Sequence, residues 1–487
     1  MKEKLIYTIY ILFFVLIGLT AITAQSAVDL DEVLDAVIED SYSSTNAKNQ
    51  RDIAEASYNF YLSQLKPNVG LRASIPNYSK TFSPVVQPDG TISFTSIKQA
   101  NSSLSLYATQ ILPSTGGTLF LNSDIQRFDD LSLESKQYNG NPIRLGINQP
   151  LFGFNPWKYQ KNIQKLAREE SLLDYNIRIE ESLGLATDYY FNILIAKQNL
   201  EIAKTNELVN EKLLTITEER LLLGKVSRDE KLQLEIELNN ARLSVSQAGF
   251  EVDRSIATLY TFLGKEIPGE GTQFGVPDIL EDRVLDIESL VQESKINRPE
   301  IIAYQREKNQ VEMDLAEAKA DFGIQANLQA SIGLARGAEQ LSEVYSDPFN
   351  EQQFNISLQV PILDWGKRKS AMKQIEIREM DIEASYQQQF LELENDIRQR
   401  AYLFSRLQSE IKLLKEIMDK ADERFSISNE RYVLGNIDIT NLTLAQREKD
   451  QTKRNYINAL KSYWVTYYEL RALSGFDILN NQEIIYQ

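Results

Sequence analysis

The sequence predicts a mainly α-helical fold with a smaller β portion, built from two copies of one structural unit. Three observations predict it. Two long segments lack helix-breaking residues, several shorter segments alternate apolar and polar residues, and a set of landmarks recurs after a constant shift of 211 positions.

The helical prediction rests on two segments rich in Glu, Lys, Gln, Leu, Ile and Ala. Residues 367–434 contain no Gly or Pro, and residues 157–223 contain only Gly184. At about 1.5 Å per residue each would be roughly 100 Å long, which does not fit a compact globule. Apolar residues at three- and four-residue steps predict a face that packs on another helix: Leu407, Ile411, Leu414, Ile417 and Ala421.

The β prediction rests on two-residue alternation, which gives each strand one apolar and one polar face. In a soluble sandwich the apolar face would line a core, whereas in a membrane barrel it would contact lipid. Alternation alone leaves both open, but the polar residues on the other face favour the barrel. The apolar positions are Val69, Leu71, Ala73 and Ile75; Ile143, Leu145, Ile147 and Leu151; Ile324, Ala326, Leu328, Ala330, Ile332 and Leu334; and Phe354, Ile356, Leu358, Val360 and Ile362.

Composition excludes several classes of function. A net charge of −17 makes nucleic acid a poor partner, because the surface repels phosphate. The chain has no Cys and no His, which removes thiol and imidazole chemistry and most zinc sites. Carboxylate pairs such as Glu169-Glu170 are expected to be solvated helix faces. We therefore predict no enzyme activity, no cofactor and no metal site.

Residues 1–24 have the pattern of a secretory signal peptide. Lys2 and Lys4 precede an apolar run from Leu5 to Ala21, and Ala24 offers a small residue for cleavage. An N-terminal membrane anchor is the alternative, since the run is near the lower length limit for spanning. No other stretch approaches eighteen consecutive apolar residues.

The internal repeat gives the organisation of the chain. Pro150 shifts onto Pro361, Leu223-Gly224 onto Leu434-Gly435, and Gly264 onto Gly475. Each unit is predicted to contain strands, a long helix, a Leu-Gly turn with the glycine at positive φ, and a second helix. Ser227 and Asp438 are predicted to cap the second helices. The predicted divisions are a signal at 1–24, a first repeat at 25–264, a linker or equatorial segment at 265–298, a second repeat at 299–475 and a tail at 476–487.

The first half carries about forty extra residues before its long helix. Alternating segments on both sides of residues 113–117 predict an additional hairpin there. Whether this hairpin joins the other strands stays open in the sequence. Turn-rich residues 84–90 and 129–142 are predicted to be surface loops.

This order of elements resembles the TolC-type outer-membrane factor family, also called outer membrane efflux proteins. The matching segments are Asn148 to Phe152, Gln359 to Leu363, Glu219 to Ser227, Glu430 to Asp438 and Asn441 to Gln446. The resemblance implies a trimeric outer-membrane β-barrel continued by a long periplasmic α-helical barrel. It also implies the channel of a tripartite efflux pump or type I secretion system.

The partners implied by the resemblance are two further copies, a periplasmic adaptor (membrane fusion protein), outer-membrane lipid, and an inner-membrane pump or ABC exporter reached through the adaptor. Adaptor-docking tips would be Gly224, Lys225, Val226, Ser227, Gly435, Asn436, Ile437 and Asp438. Asn441 and Leu444 occupy positions where the family often has an acidic lumenal constriction. Asp229 and Glu230 are the candidates for negative charge there, or else solvated carboxylates.

Physical reasoning also favours several copies. Four to six strands from one chain cannot enclose a wide lumen, and open strand edges are not tolerated in lipid. Arg72 and Arg144 lie on polar strand faces and would line the pore or pair with carboxylates. Four aromatic residues at strand–helix junctions would mark the membrane boundary or simply pack the junctions: Trp157, Trp365, Phe152 and Phe154.

Two other classes stay open. A periplasmic coiled-coil scaffold would explain the helices and the acidity but not the two-faced strands. An exported enzyme would need a reactive group that nothing in the sequence positions. The transported substrate is not predicted, since drugs, metals and proteins can use similar channels.

Overall fold

The computed structural model describes residues 27–269, 271–279 and 285–486. The predicted signal at 1–24 lies outside these residues. Within them, no helix combines the length and the apolar character needed to cross a membrane. The described chain forms two compact units, a helical unit from residues 27–50, 173–298 and 391–486, and a sheet-bearing unit from residues 51–172 and 299–390.

Helices make up most of the described chain, and two helical hairpins dominate. The first hairpin is α3 and α4, and the second is α8 and α9. The helices are α1 (Leu30–Asp40), α2 (Tyr42–Gln64), α3 (Trp157–Leu222), α4 (Arg228–Leu263), α5 (Ile287–Asn297), α6 (Pro299–Asp321), α7 (Leu341–Ser346), α8 (Lys367–Val433) and α9 (Ile439–Ser474).

Six strands form one antiparallel sheet in which each strand pairs with the next along the chain. The strands are β1 (Asn68–Val86), β2 (Ile92–Leu112), β3 (Gly117–Asp130), β4 (Ser135–Phe152), β5 (Gln325–Ala338) and β6 (Phe349–Gln359). The predicted extra hairpin is present as β2 and β3, which pair from Leu112↔Gly117 onward and lie inside the sheet. A small separate ribbon follows α9: β7 (Phe476–Asp477) and β8 (Gln482–Glu483).

Both predicted loops contain a turn but are shorter than predicted. Residues 84–86 belong to β1 and 87–91 form the turn, whereas most of residues 129–142 belong to β3 and β4 and only 131–134 form the turn. These strand ends are not predicted from the sequence because the segments are polar and turn-rich. A hairpin is held by backbone hydrogen bonds and cross-strand pairs, which do not require apolar side chains.

The register defines two faces of the sheet, because directly paired residues project to the same side. What we call the apolar face includes Val69, Leu71, Leu104, Leu106, Leu119, Leu121, Ile143, Leu145, Ile332 and Leu334. What we call the polar face includes Arg72, Tyr107, Asn122, Arg144 and Glu351. The predicted alternation is therefore the alternation of the sheet.

The helical unit has a continuous core of aromatic and aliphatic side chains. Tyr190, Phe191, Leu259, Tyr463 and Tyr467 are at most 2% exposed and belong to one packed cluster. Such burial, at about 25 cal/mol per Å² of apolar surface, is the main source of its stability.

The predicted packing face of α8 is correct except at one position. Leu407, Ile411 and Ala421 are buried and Leu414 packs partly, but Ile417 is 41% exposed. The reason is helical periodicity. After Leu414, the next position that a seven-residue repeat brings to the packed side is 418. The side chain at position 417 therefore points away from the centre of the packed face.

Candidate functional site: hairpin tips and polar sheet face

The first hairpin tip is a tight αL turn after α3. Gly224 has φ +66°, and its N–H donates to Leu221 O over 2.9 Å. The N–H of Lys225 donates to Arg220 O, also over 2.9 Å, which completes a Schellman turn. Ser227 then caps α4 by accepting from the N–H of Glu230 over 3.2 Å. Glycine is required here because a side chain at positive φ is strained.

The second tip repeats the same construction after α8. Gly435 has φ +80°, and its N–H donates to Tyr432 O over 2.8 Å. The N–H of Asn436 donates to Arg431 O over 2.8 Å, and Asp438 accepts from the N–H of Asn441 over 2.8 Å. The predicted positive-φ glycines and both predicted caps are thus confirmed.

The tips present a mixed surface. Lys225, Ser227, Asn436 and Asp438 are exposed, while Val226 and Ile437 are half-buried. The sequence does not predict the role of three leucines that precede the turns, although two of them are landmarks of the repeat. They are Leu222, Leu223 and Leu434, which are 89%, 69% and 73% exposed. Exposed leucines of this kind suit a partner surface.

A buried tyrosine ties the two hairpins together just above the tips. The Tyr432 hydroxyl lies 2.9 Å from Thr217 Oγ1 and donates to Glu230 Oε1 over 3.1 Å. Arg220 donates to Tyr432 O and to Val433 O, over 3.1 and 2.7 Å. Burial is the largest influence on the pKa of Tyr432 and raises it above its usual value. The hydroxyl therefore keeps its proton.

The constriction candidates lie on the first turn of α4 and the first two turns of α9. Asp229, Asn441 and Leu444 are exposed, and Asn441 also donates through its side chain to Asp438 over 3.0 Å. Glu230 is half-buried and bonded to Tyr432, so it is more than a solvated helix-face carboxylate. Of these two carboxylates, only Asp229 has no hydrogen-bond or ion-pair partner among the described residues.

The two arginines of the polar face have different partners. Arg144 donates to Glu351 over 2.6 Å and to Asn141 over 3.1 Å, so the alternative of pairing with a carboxylate applies to it. Arg72 lies over the ring of Tyr107, 5.4 Å from its centroid. Gly70 makes room for that ring, since a Cβ there would come within 2.4 Å of the Tyr107 hydroxyl.

The four aromatic residues at the strand–helix junctions also fall into two groups, one packed and one exposed. Trp157 stacks on Tyr61 and Phe154 on Tyr159, each with ring centroids 6.3 Å apart, which is ordinary packing geometry. Phe152 and Trp365 are 64% and 87% exposed. The position of all four relative to a membrane stays a prediction.

Comparison with known proteins identifies the family. Residues 93–265 and 290–476, well over half of the chain, match the family described as outer membrane efflux protein. The chain belongs to the outer membrane efflux protein family. It is accordingly an outer-membrane protein, as the resemblance implied.

Individual relatives of this outer membrane efflux protein are distant. The probable outer membrane lipoprotein SilC of Salmonella typhimurium is 20% identical over 296 residues, 59% of this chain but only 62% of SilC, less than two thirds of its length. The Campylobacter jejuni CmeC outer membrane channel has a TM-score of 0.69 at 15% identity, covering 94% of this chain and 87% of CmeC.

A second solved structure agrees with the first. The Neisseria gonorrhoeae MtrE outer membrane channel, solved in its open state, has a TM-score of 0.63 at 16% identity. The similarity covers 92% of this chain and 89% of MtrE. At these identities the solved structures establish the fold, and they confirm the predicted combination of long helices with a membrane-type sheet.

Proposed function

We propose that three copies of this chain form a passive channel across the outer membrane, serving a tripartite efflux pump or a type I secretion system. The observation that carries the proposal is the sheet. It has one exposed apolar face, one polar face and two open edges.

The apolar face is suited to lipid. Val69 and Leu71 are each 66% exposed, Leu106 is 51%, Leu145 is 52% and Ile332 is 53% exposed. Contiguous apolar surface of this kind is rare on proteins that face only water. In a bilayer it would contact acyl chains, and the polar face opposite would line the water-filled lumen.

The open edges favour assembly. Strands β1 and β6 each have a neighbour on one side only, so their outer backbone groups are unpaired. Lipid supplies no hydrogen bonds, and a spanning sheet must therefore close. Pairing β6 of one copy with β1 of the next satisfies both edges. Three copies of the six-stranded sheet would give eighteen strands, a number that leaves an aqueous channel.

The hairpin tips are proposed as the adaptor-docking surface. Leu222, Leu223 and Leu434 offer apolar contact, and the eight predicted tip residues surround them. Asp229 is proposed to contribute negative charge beside the first tip. The adaptor and its pump would set the transported substrate.

Cysteine cross-linking tests the proposed closure, and the natural chain has no Cys to interfere. One Cys is placed on β1, at Asn68, Arg72 or Ser74, and one on β6, at Gln353, Asn355 or Ser357. We expect at least one of the nine double variants to give disulfide-linked species of three chains in membranes. The matching single variants, which lack one partner thiol, should stop at two chains or fewer.

The opposite result would favour a different function. If all nine double variants stay uncross-linked and salt alone releases the protein from membranes, the channel is wrong. A periplasmic helical scaffold would then be the better account, because a spanning sheet is released only by detergent.

A further inference from the structure

The apolar face of the sheet also carries three lysines, two of which separate Leu104 and Leu106 from the exposed Phe82 and Phe94 further out on the β1–β2 hairpin. Lys80 on β1 is directly paired with Lys98 on β2, and both project to the side of Leu71 and Leu106. Lys136 on β4 is paired with Asp129 and lies on the same face. All three lysines are exposed.

These lysines lack carboxylate partners within the described part of the chain. Asp129 is engaged by Arg127, whose guanidinium lies 2.8 Å from it, and no ion pair involves Lys80, Lys98 or Lys136. Like charges placed directly opposite on neighbouring strands destabilise a sheet. A local excess of positive charge is also unusual in a chain whose net charge is −17. The cluster therefore calls for an external anion.

Strand geometry places the cluster at the height of a membrane surface. From Val69 to Lys80 the strand advances about 36 Å at roughly 3.3 Å per residue. With a strand tilt of about 40°, this corresponds to about 28 Å along the membrane normal, close to the roughly 25 Å height of an apolar band. Lys80 and Lys98 then lie where the headgroups begin, on the side away from the helices that follow the sheet.

We propose that Lys80, Lys98 and Lys136 bind the phosphate groups of an anionic lipid headgroup in the outer leaflet. The lipid's acyl chains would lie along Tyr78 and Leu104, which are exposed on the same face and nearer to the lysines than Val69 is. The inference rests on the proposed function, because it needs the apolar face to contact lipid. It adds a specific lipid contact to the channel.

Native mass spectrometry of the full-length protein in non-ionic detergent tests this directly. The probe is a diphosphorylated lipid A, compared with the same lipid lacking both phosphates and with millimolar inorganic phosphate. Replacing Lys80, Lys98 and Lys136 with Gln should weaken lipid A binding on the order of 100-fold, at about 1 kcal/mol per lysine. Replacing all three with Arg should preserve it.

A matched control removes the same charge elsewhere. Lys212, Lys415 and Lys420 are exposed on α3 and α8, and their replacement with Gln should leave lipid A binding unchanged. The proposal is overturned if the first glutamine variant binds like this control, if the dephosphorylated lipid binds equally well, or if inorganic phosphate displaces the lipid. The cross-linking of β1 to β6 uses other residues, so failure of the channel and failure of the lipid site are distinguishable.

Discussion

At the scale of single residues, Tyr432 shows how the two hairpins are held together. Its hydroxyl reaches Thr217 on α3 and Glu230 on α4, although the tyrosine itself belongs to α8. A buried polar group that is hydrogen-bonded to two helices favours one packing arrangement of those helices. A shift of either helix would leave the group without a hydrogen-bond partner. No sequence pattern signals this contact, since Tyr432 lies 215 positions from Thr217 and 202 from Glu230.

Lys449 on α9 is the most unusual charged group of the helical unit. It is 6% exposed, its ammonium lies 4.0 Å from the centroid of the Phe425 ring, and Asp450 is 3.7 Å away. Burial is the largest influence and lowers the pKa of Lys449 below its usual 10.5, while Asp450 and Asp422 oppose the shift. The buried charge therefore costs stability at neutral pH.

This environment predicts a pH dependence. As pH rises through the lowered folded-state pKa, the folded protein releases the proton while the unfolded chain still holds it up to about pH 10.5, so stability rises. The free energy of unfolding of the natural protein should therefore increase relative to K449Q between pH 7 and 10. Thermal melting followed by circular dichroism measures it.

The control for Lys449 is an exposed lysine on the neighbouring helix α8. K415Q removes a charge that does not act on Lys449, so its difference in stability from the natural protein should be independent of pH. If the difference in the free energy of unfolding between the natural protein and K449Q stays constant with pH, burial does not lower the pKa of Lys449.

At the scale of elements, the helical hairpins could be predicted closely from the sequence. Gly224 and Gly435 mark left-handed turns, and Ser227 and Asp438 mark helix starts, because the physics of helix ends is local. The exposed leucines at the tips could not be predicted. Their exposure depends on which neighbours the long helices bring to them.

The sheet was predicted less completely, for a related reason. Alternation reveals the apolar strands, but it does not reveal the outer parts of the β1–β2 and β3–β4 hairpins, because their sequences are polar and turn-rich. The short helix α7 is also not predicted, although Val344 within it is fully buried and packs against Gly140. Both depend on pairing and packing between segments.

The tip assignment predicts a selective loss of function. Replacing Gly224 or Gly435 with Glu should abolish export while the protein stays assembled in the membrane, because a side chain at positive φ distorts the docking turn. Accumulation of the cognate pump's substrate in cells measures export, and the membrane fraction reports assembly.

A glycine outside the tips provides the comparison. Gly249 lies within α4, where a Cβ would meet nothing within 4 Å, so G249E should export normally. Normal export by both tip variants would argue against docking at these turns.

At the scale of the whole molecule, the strand number is the main consequence of the extra hairpin. We propose that residues 25–264 and 299–475 arose by duplication, each with its own strands and helical hairpin. Two strands per unit would give a wall of twelve strands from three copies. The six strands seen here would give eighteen, and barrel diameter grows roughly in proportion to strand number.

Electron cryomicroscopy of the detergent-purified protein tests the central claim most directly. We expect a closed wall of eighteen strands, six from each of three copies, with Val69, Leu71 and Leu145 facing the detergent and Arg72 and Arg144 facing the lumen. A single chain whose apolar face is covered by its own helices, with β1 and β6 unpaired, would contradict the account.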